Sequence, residues 1–167
     1  TQFTLGRQRL QWDNQRFFGN VGWRQNEQTF DALDIQHSFG NGTKLRYDYL
    51  DRAQRINGAD NPNQDLARYR LNTHLLSAGH ALGPGSLSGY AHFIENETLP
   101  LSSHRNLGLR YTAKKDAPDG IGWLISAEYA KQDSYADGAD KIDADYFLLE
   151  GGLVWKGNTF KAGWEQL

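Results

Sequence analysis

Four arginines, Arg7, Arg9, Arg16 and Arg24, fall within 18 residues. Arginine presents a planar fork of donors that matches carboxylates, and it keeps its charge at physiological pH. Arg46, Arg68, Arg70, Arg110, Lys44 and Lys114 stand at polar positions of alternating segments further along. Basic groups that line a channel favour anions. The same groups, paired with Asp34, Asp48, Glu128, Glu150 and Glu165, would instead brace a wall. At the polar positions of the alternating segments, seven basic residues (those six and Lys161) oppose five acidic ones. The excess is small, and both readings stay open.

Other chemistry is weaker. Asp133, Asp137 and Asp140, with Asp143 and Asp145, crowd one polar stretch. Carboxylates at that density bind calcium in some loops, but this spacing matches no known loop. His74, His80 and His92 lie near Ser77 and Ser88, yet no nucleophile elbow, phosphate loop, dinucleotide fingerprint or metalloprotease motif occurs. The sequence is therefore read as non-enzymatic and without cofactor. There is no Cys, which rules out disulfides and thiolate sites. A net charge of −2 gives no nucleic-acid footprint.

The elements that must position these residues are strands. Period-two alternation dominates, as in Leu45, Tyr47 and Tyr49 against Lys44, Arg46 and Asp48. Eight strands are expected over 29–39, 43–53, 67–82, 86–96, 104–114, 121–131, 144–155 and 159–167. Segments 2–12 and 17–25 offer one or two more. The stretch 12–20 is polar and irregular; it either folds inward or forms an external turn, the second being favoured. Short connections (Gly40-Asn41-Gly42, Gly83-Pro84-Gly85, 115–120, Lys156-Gly157-Asn158) alternate with long ones (54–65, 97–103, 132–143).

One face of these strands is expected to be free of charge. It would carry Leu33, Ile35, Leu71, Thr73, Leu75, Ser77, Gly79, Leu109, Ile125, Leu149 and Trp155, with aromatics near both strand ends. The other face would hold the arginines and acids. Mean hydropathy is −0.72, a low value that alternating strands of a membrane barrel share. With the loop asymmetry and aromatic belts, this predicts an all-β, antiparallel transmembrane β-barrel.

Leu5–Leu10 (LGRQRL), Asp13–Phe17 (DNQRF), Gly19–Phe30 (GNVGWRQNEQTF) with Asp31-Ala32, and Phe160–Leu167 (FKAGWEQL) resemble the alginate export family of bacterial outer-membrane porins. The resemblance implies a single barrel segment, 1–167, that is an internal fragment of a larger barrel. Its strands would form an open, curved sheet. It further implies an outer-membrane location, lipid contacts, and passive diffusion of an anionic polysaccharide or small organic anion through an arginine-lined lumen. The alternatives are a structural or adhesive outer-membrane barrel and a soluble ligand-binding β-barrel.

Overall fold

A computed structural model describes residues 1–117 and 120–167. Its strands are β1 (Gln2–Gln8), β2 (Thr29–Ser38), β3 (Lys44–Gln54), β4 (Arg68–Leu82), β5 (Gly85–Ile94), β6 (His104–Lys115), β7 (Ile121–Ser134), β8 (Asp143–Trp155) and β9 (Asn158–Gln166). They form one sheet in sequence order, and every neighbouring pair is antiparallel. One helical turn, α1 (Gln64–Ala67), sits between β3 and β4. The alternation of short and long connections holds, except that residues 118 and 119 of the expected 115–120 turn lie outside the described residues. The possible strand at 2–12 shortens to β1, and 17–25 forms none.

A barrel closes only when its first and last strands exchange hydrogen bonds. Here β1 pairs with β2 alone and β9 with β8 alone. The sheet is open, as was expected of these strands, and the expected transmembrane β-barrel is corrected to a nine-stranded antiparallel sheet with two free edges. No helix among the described residues is long and apolar enough to cross a membrane, which says nothing of strands.

Residues 9–28, between β1 and β2, cross the sheet as an irregular strap. Trp12 reaches Asp48 on β3, and Asn14 reaches Glu128 on β7. Strands four apart in a flat sheet lie about 19 Å from each other at 4.8 Å per strand. Two residues of chain span only about 7 Å, and the side chains of Trp12, Asp48, Asn14 and Glu128 supply the rest of the reach, so the strap lies across one face of the sheet. Thus the segment 12–20 folds inward, against the external turn the sequence favoured. Its apolar residues decide this: Leu10 and Trp12 are buried with Phe30, Leu50, Leu71 and Leu75 in the main apolar cluster, and Phe18 packs on it. Burying two such side chains stabilises the docked strap by roughly 1.5–3 kcal/mol each.

The covered face is concave and mostly polar; the outer face is apolar. Cross-strand register places Asp34, Asp48, Leu75, His92 and Asn106 in one row of the concave face. Leu109, Tyr129, Phe147, Leu149, Leu153, Trp155, Phe160 and Trp164 are exposed on the other side. The expected facing holds for most strands but fails on β4. There Leu71, Thr73, Leu75, Ser77 and Gly79 turn to the concave face, and Arg68, Arg70, His74 and Leu76 turn outward. Leu75 and Leu76 are adjacent and both apolar, so alternation alone does not choose between two registers one residue apart, and the slip inverts the strand. Packing under Trp12 chooses Leu75, which is fully buried.

Candidate functional site

The strap docks through charge as well as packing. Trp12 Nε1 donates to Asp48, and Arg46 Nε lies 2.9 Å from Asp34 and 3.1 Å from Asp48 while Nη1 donates to the Gln11 carbonyl at 2.9 Å. The Arg46 guanidinium also lies 4.7 Å from the Trp12 ring centre. Further along, Asp13 pairs with Arg110 and Arg16 with Glu165, and Phe17 meets the Tyr146 ring edge-on at 5.4 Å. Strap residues therefore reach β3, β6, β7, β8 and β9.

Asp34 and Asp48 face each other across β2 and β3. Burial, and then the hydrogen bond shared with Asp34, push the Asp48 carboxyl up to about 7, against the pull of Arg46. Burial pushes Asp34 up too, but hydrogen bonds from Asp48 and Gln36 and the Arg46 charge outweigh it and hold Asp34 below the usual carboxylate range. Two adjacent carboxylates resist ionising together, so the pair keeps one proton, on Asp48. His92 is pushed down to about 4 by burial, helped by the charge of His104, and so stays neutral. Burial raises Glu128, although Tyr90 Oη donates to it at 2.7 Å.

Between strap and sheet lies a cavity of about 310 Å³. Trp12, Phe17 and Tyr90 supply aromatic walls. Ser38, Ser77, Ser86 and Ser88 supply hydroxyls, Gln36 an amide, and Lys44 a cation at the exposed margin. The four serines share the concave face because each has the parity of its neighbour: Ser77 stands opposite Arg46 and Tyr90, and Ser88 stands opposite Gly79 and Arg110. Asp13, Arg46 and Glu128 also border this space, with Arg46 matched by Asp34 and Asp48, and Asp13 and Glu128 by Arg110 behind them.

The sequence-predicted basic residues do not converge. Arg46 and Arg110 reach the concave face as braces. Arg7 pairs with Asp31 at 2.8 Å and Arg70 with Glu97 at 3.2 Å, both on the outer side near the long loops. Arg68 shares that side. Arg9 pairs with Glu27 inside the strap, Arg24 stacks 4.3 Å over Trp23, and Lys114 pairs with Asp116 at 2.8 Å. An arginine-lined lumen is therefore corrected: the sheet encloses no lumen, and most of these charges are spent on local partners. Asp133, Asp137 and Asp140 join no group of three or more metal-ligating side chains among the described residues. Asp133 instead pairs with Arg105 at 3.4 Å, while Asp143 and Asp145 pair with Lys131.

The serines of the cleft and its aromatic pair Trp12 and Tyr90 were missed as a site. Their common signal is parity: Ser86, Ser88 and Tyr90 alternate along the polar face of β5, while Ser77 on β4 had been placed on the apolar face.

Comparison with protein-family models, with curated proteins and with solved structures found no match. The resemblance to the alginate export family is corrected accordingly. With it, and with the free edges of the sheet, go the pore activity, the outer-membrane placement, and the lipid and anionic-solute partners drawn from it.

Proposed function

We propose that this chain is a small-molecule-binding module, not an enzyme, and that its ligand is a neutral, polyhydroxylated ring held in the cleft between strap and sheet. One observation carries the reading: four serine hydroxyls and an amide line a cavity walled by the rings of Trp12, Phe17 and Tyr90, beside the charged groups of Asp13, Lys44, Arg46 and Glu128. Small-ligand sites combine an apolar wall with a few placed polar groups. Aromatic faces cover the C–H surface of a ring, and hydroxyls exchange hydrogen bonds with its rim. A neutral ligand fits because Arg46 at the cleft is already matched by Asp34 and Asp48, and the lining carboxylates Asp13 and Glu128 by Arg110. Binding without chemistry is supported by the hydroxyl partners. Ser86 Oγ donates to the His80 carbonyl and Ser88 Oγ to the Arg110 carbonyl, both at 3.4 Å, and neither meets an imidazole nitrogen that would activate it.

Isothermal titration with myo-inositol tests this. Saturable one-to-one binding is expected, abolished by Ser88→Phe, which fills the cleft. Equal binding by that variant, or tighter binding of glucuronate than of inositol, contradicts the reading.

A further inference from the structure

We infer that the strap is a displaceable lid, and that Asn106, beyond His92 on the floor of the cleft, opens with it a latent extension that takes further hydroxyls of a longer neutral ligand. The inference rests on the proposed reading for the nature of the ligand, but the lid is argued from separate observations.

The first is an unsatisfied polar row. His92 is 4% exposed, and neither of its ring nitrogens has a hydrogen-bond partner among the described residues. Asn106 stands directly opposite on β6, fully buried; its carbonyl accepts from Gln132 at 2.8 Å, but its amide nitrogen also lacks a partner. Unpaired polar groups held away from water cost about 1–3 kcal/mol apiece. A docked strap that leaves three such atoms bare is held less firmly than its contacts suggest. Being neutral, His92 offers one donor and one acceptor, the complement of a hydroxyl.

The second observation is what covers His92. The Trp12 indole meets its ring edge-on at 5.1 Å and Tyr90 stacks on it at 4.9 Å. Trp12 belongs to the strap, so lifting the strap uncovers His92 without disturbing any strand pairing. The third is strain: Asp13, Gln15 and Val21 hold φ of 49°, 60° and 56°. A left-handed β-branched residue such as Val21 is a true outlier, and such strain gathers in segments that move.

The test uses two arms. The chain has no native Cys, so His92→Cys gives a single thiol beneath Trp12. Alkylation of that thiol by iodoacetamide is expected at least tenfold faster than global unfolding of the same variant. Alkylation no faster than global unfolding overturns the lid. In the second arm, Asn106→Leu, at a position outside the cleft lining, should weaken maltotriose binding at least tenfold and leave myo-inositol within twofold, while Asn106→Gln, which keeps the amide, restores maltotriose. Equal losses for both sugars, or none for maltotriose, overturn the extension. If the unsubstituted protein binds neither sugar, the cleft reading falls and the extension with it, whereas the alkylation arm still decides the lid.

Discussion

The ring of Tyr90 on β5 occupies the space that a side chain at position 108 on β6 would need: a Cβ on Gly108 would lie 2.2 Å from the ring carbon bearing the hydroxyl. The two residues are directly opposed in register. Glycine at this site lets the ring lie across the neighbouring strand, with its hydroxyl on Glu128 two strands away. The aromatic wall of the cleft is thus set by an absent side chain.

Gly108→Ala must therefore displace Tyr90 and break its bond to Glu128. A loss of about 1–3 kcal/mol is expected, the usual cost of overpacking. Gly89→Ala, whose new Cβ would meet Leu109 at an ordinary 3.8 Å, is the control and should cost less than about 1 kcal/mol. Urea denaturation of the two variants measures the difference; equal midpoints would show that Tyr90 does not depend on Gly108.

Trp12 anchors the strap by packing and by its bond to Asp48. Trp12→Ala should cost about 3–5 kcal/mol, and Trp12→Phe, which keeps much of the packing, about 1–3 kcal/mol. Limited proteolysis of Trp12→Ala should cut within 13–28 well before any strand is cut. Cleavage first in the 135–142 loop, at the unsubstituted protein's rate, would detach the strap from Trp12.

The Asp34–Asp48 pair gives stability a pH dependence of definite sign. The folded Asp48 carboxyl titrates at about 7, against about 3.9 in an unfolded chain. Between those values the folded state holds a proton that the unfolded state has lost. Stability from this group is therefore full at low pH and declines as pH rises through 7. Asp48→Asn removes the titration and keeps an acceptor for Trp12. Its advantage over the unsubstituted protein should grow from pH 4 to pH 8 by at least about 1 kcal/mol, or about 2–4 °C in Tm for a chain of this size. Parallel Tm profiles for the two proteins across that range would contradict the shared proton.

The free edge at β9 predicts self-association. All nine of its residues are exposed, with Phe160, Ala162 and Trp164 alternating along it. Unpaired backbone groups on such an edge recruit other strands, and a charge placed there opposes this. Sedimentation velocity should show concentration-dependent association that Ala162→Lys reduces; identical profiles would locate the contact elsewhere.

The strands and their connections were legible because alternation and turn residues are local signals. Tyr47 against Arg46, or Leu109 against Arg110, declares its face without reference to any neighbour. The open sheet was expected from the family resemblance and not from any local pattern, because pairing between β1 and β9 is long-range. The face of β4 was misread because Leu75-Leu76 satisfies either register, and only the burial of Leu75 under Trp12 breaks the tie. The arginines misled for a related reason. Spacing shows that Arg7, Arg70 and Arg110 are charged, but not that Asp31, Glu97, Asp13 and Glu128 sit within reach to neutralise them. The strap was misread as an external turn because its polar residues describe such a turn as well as a segment docked on a polar face. Leu10, Trp12 and Phe18 settled it by finding apolar partners.

The most direct test of the cleft is the map of its ligand. In ¹H–¹⁵N spectra of the labelled protein titrated with myo-inositol, saturable shifts are expected at the Trp12 indole N–H and at the amides of Ser77, Gly79, Ser88 and Tyr90, with Leu107, Leu149 and Leu153 of the outer face unmoved. Shifts confined to the outer face, or a spectrum that does not change at saturating inositol, would contradict a binding site between strap and sheet.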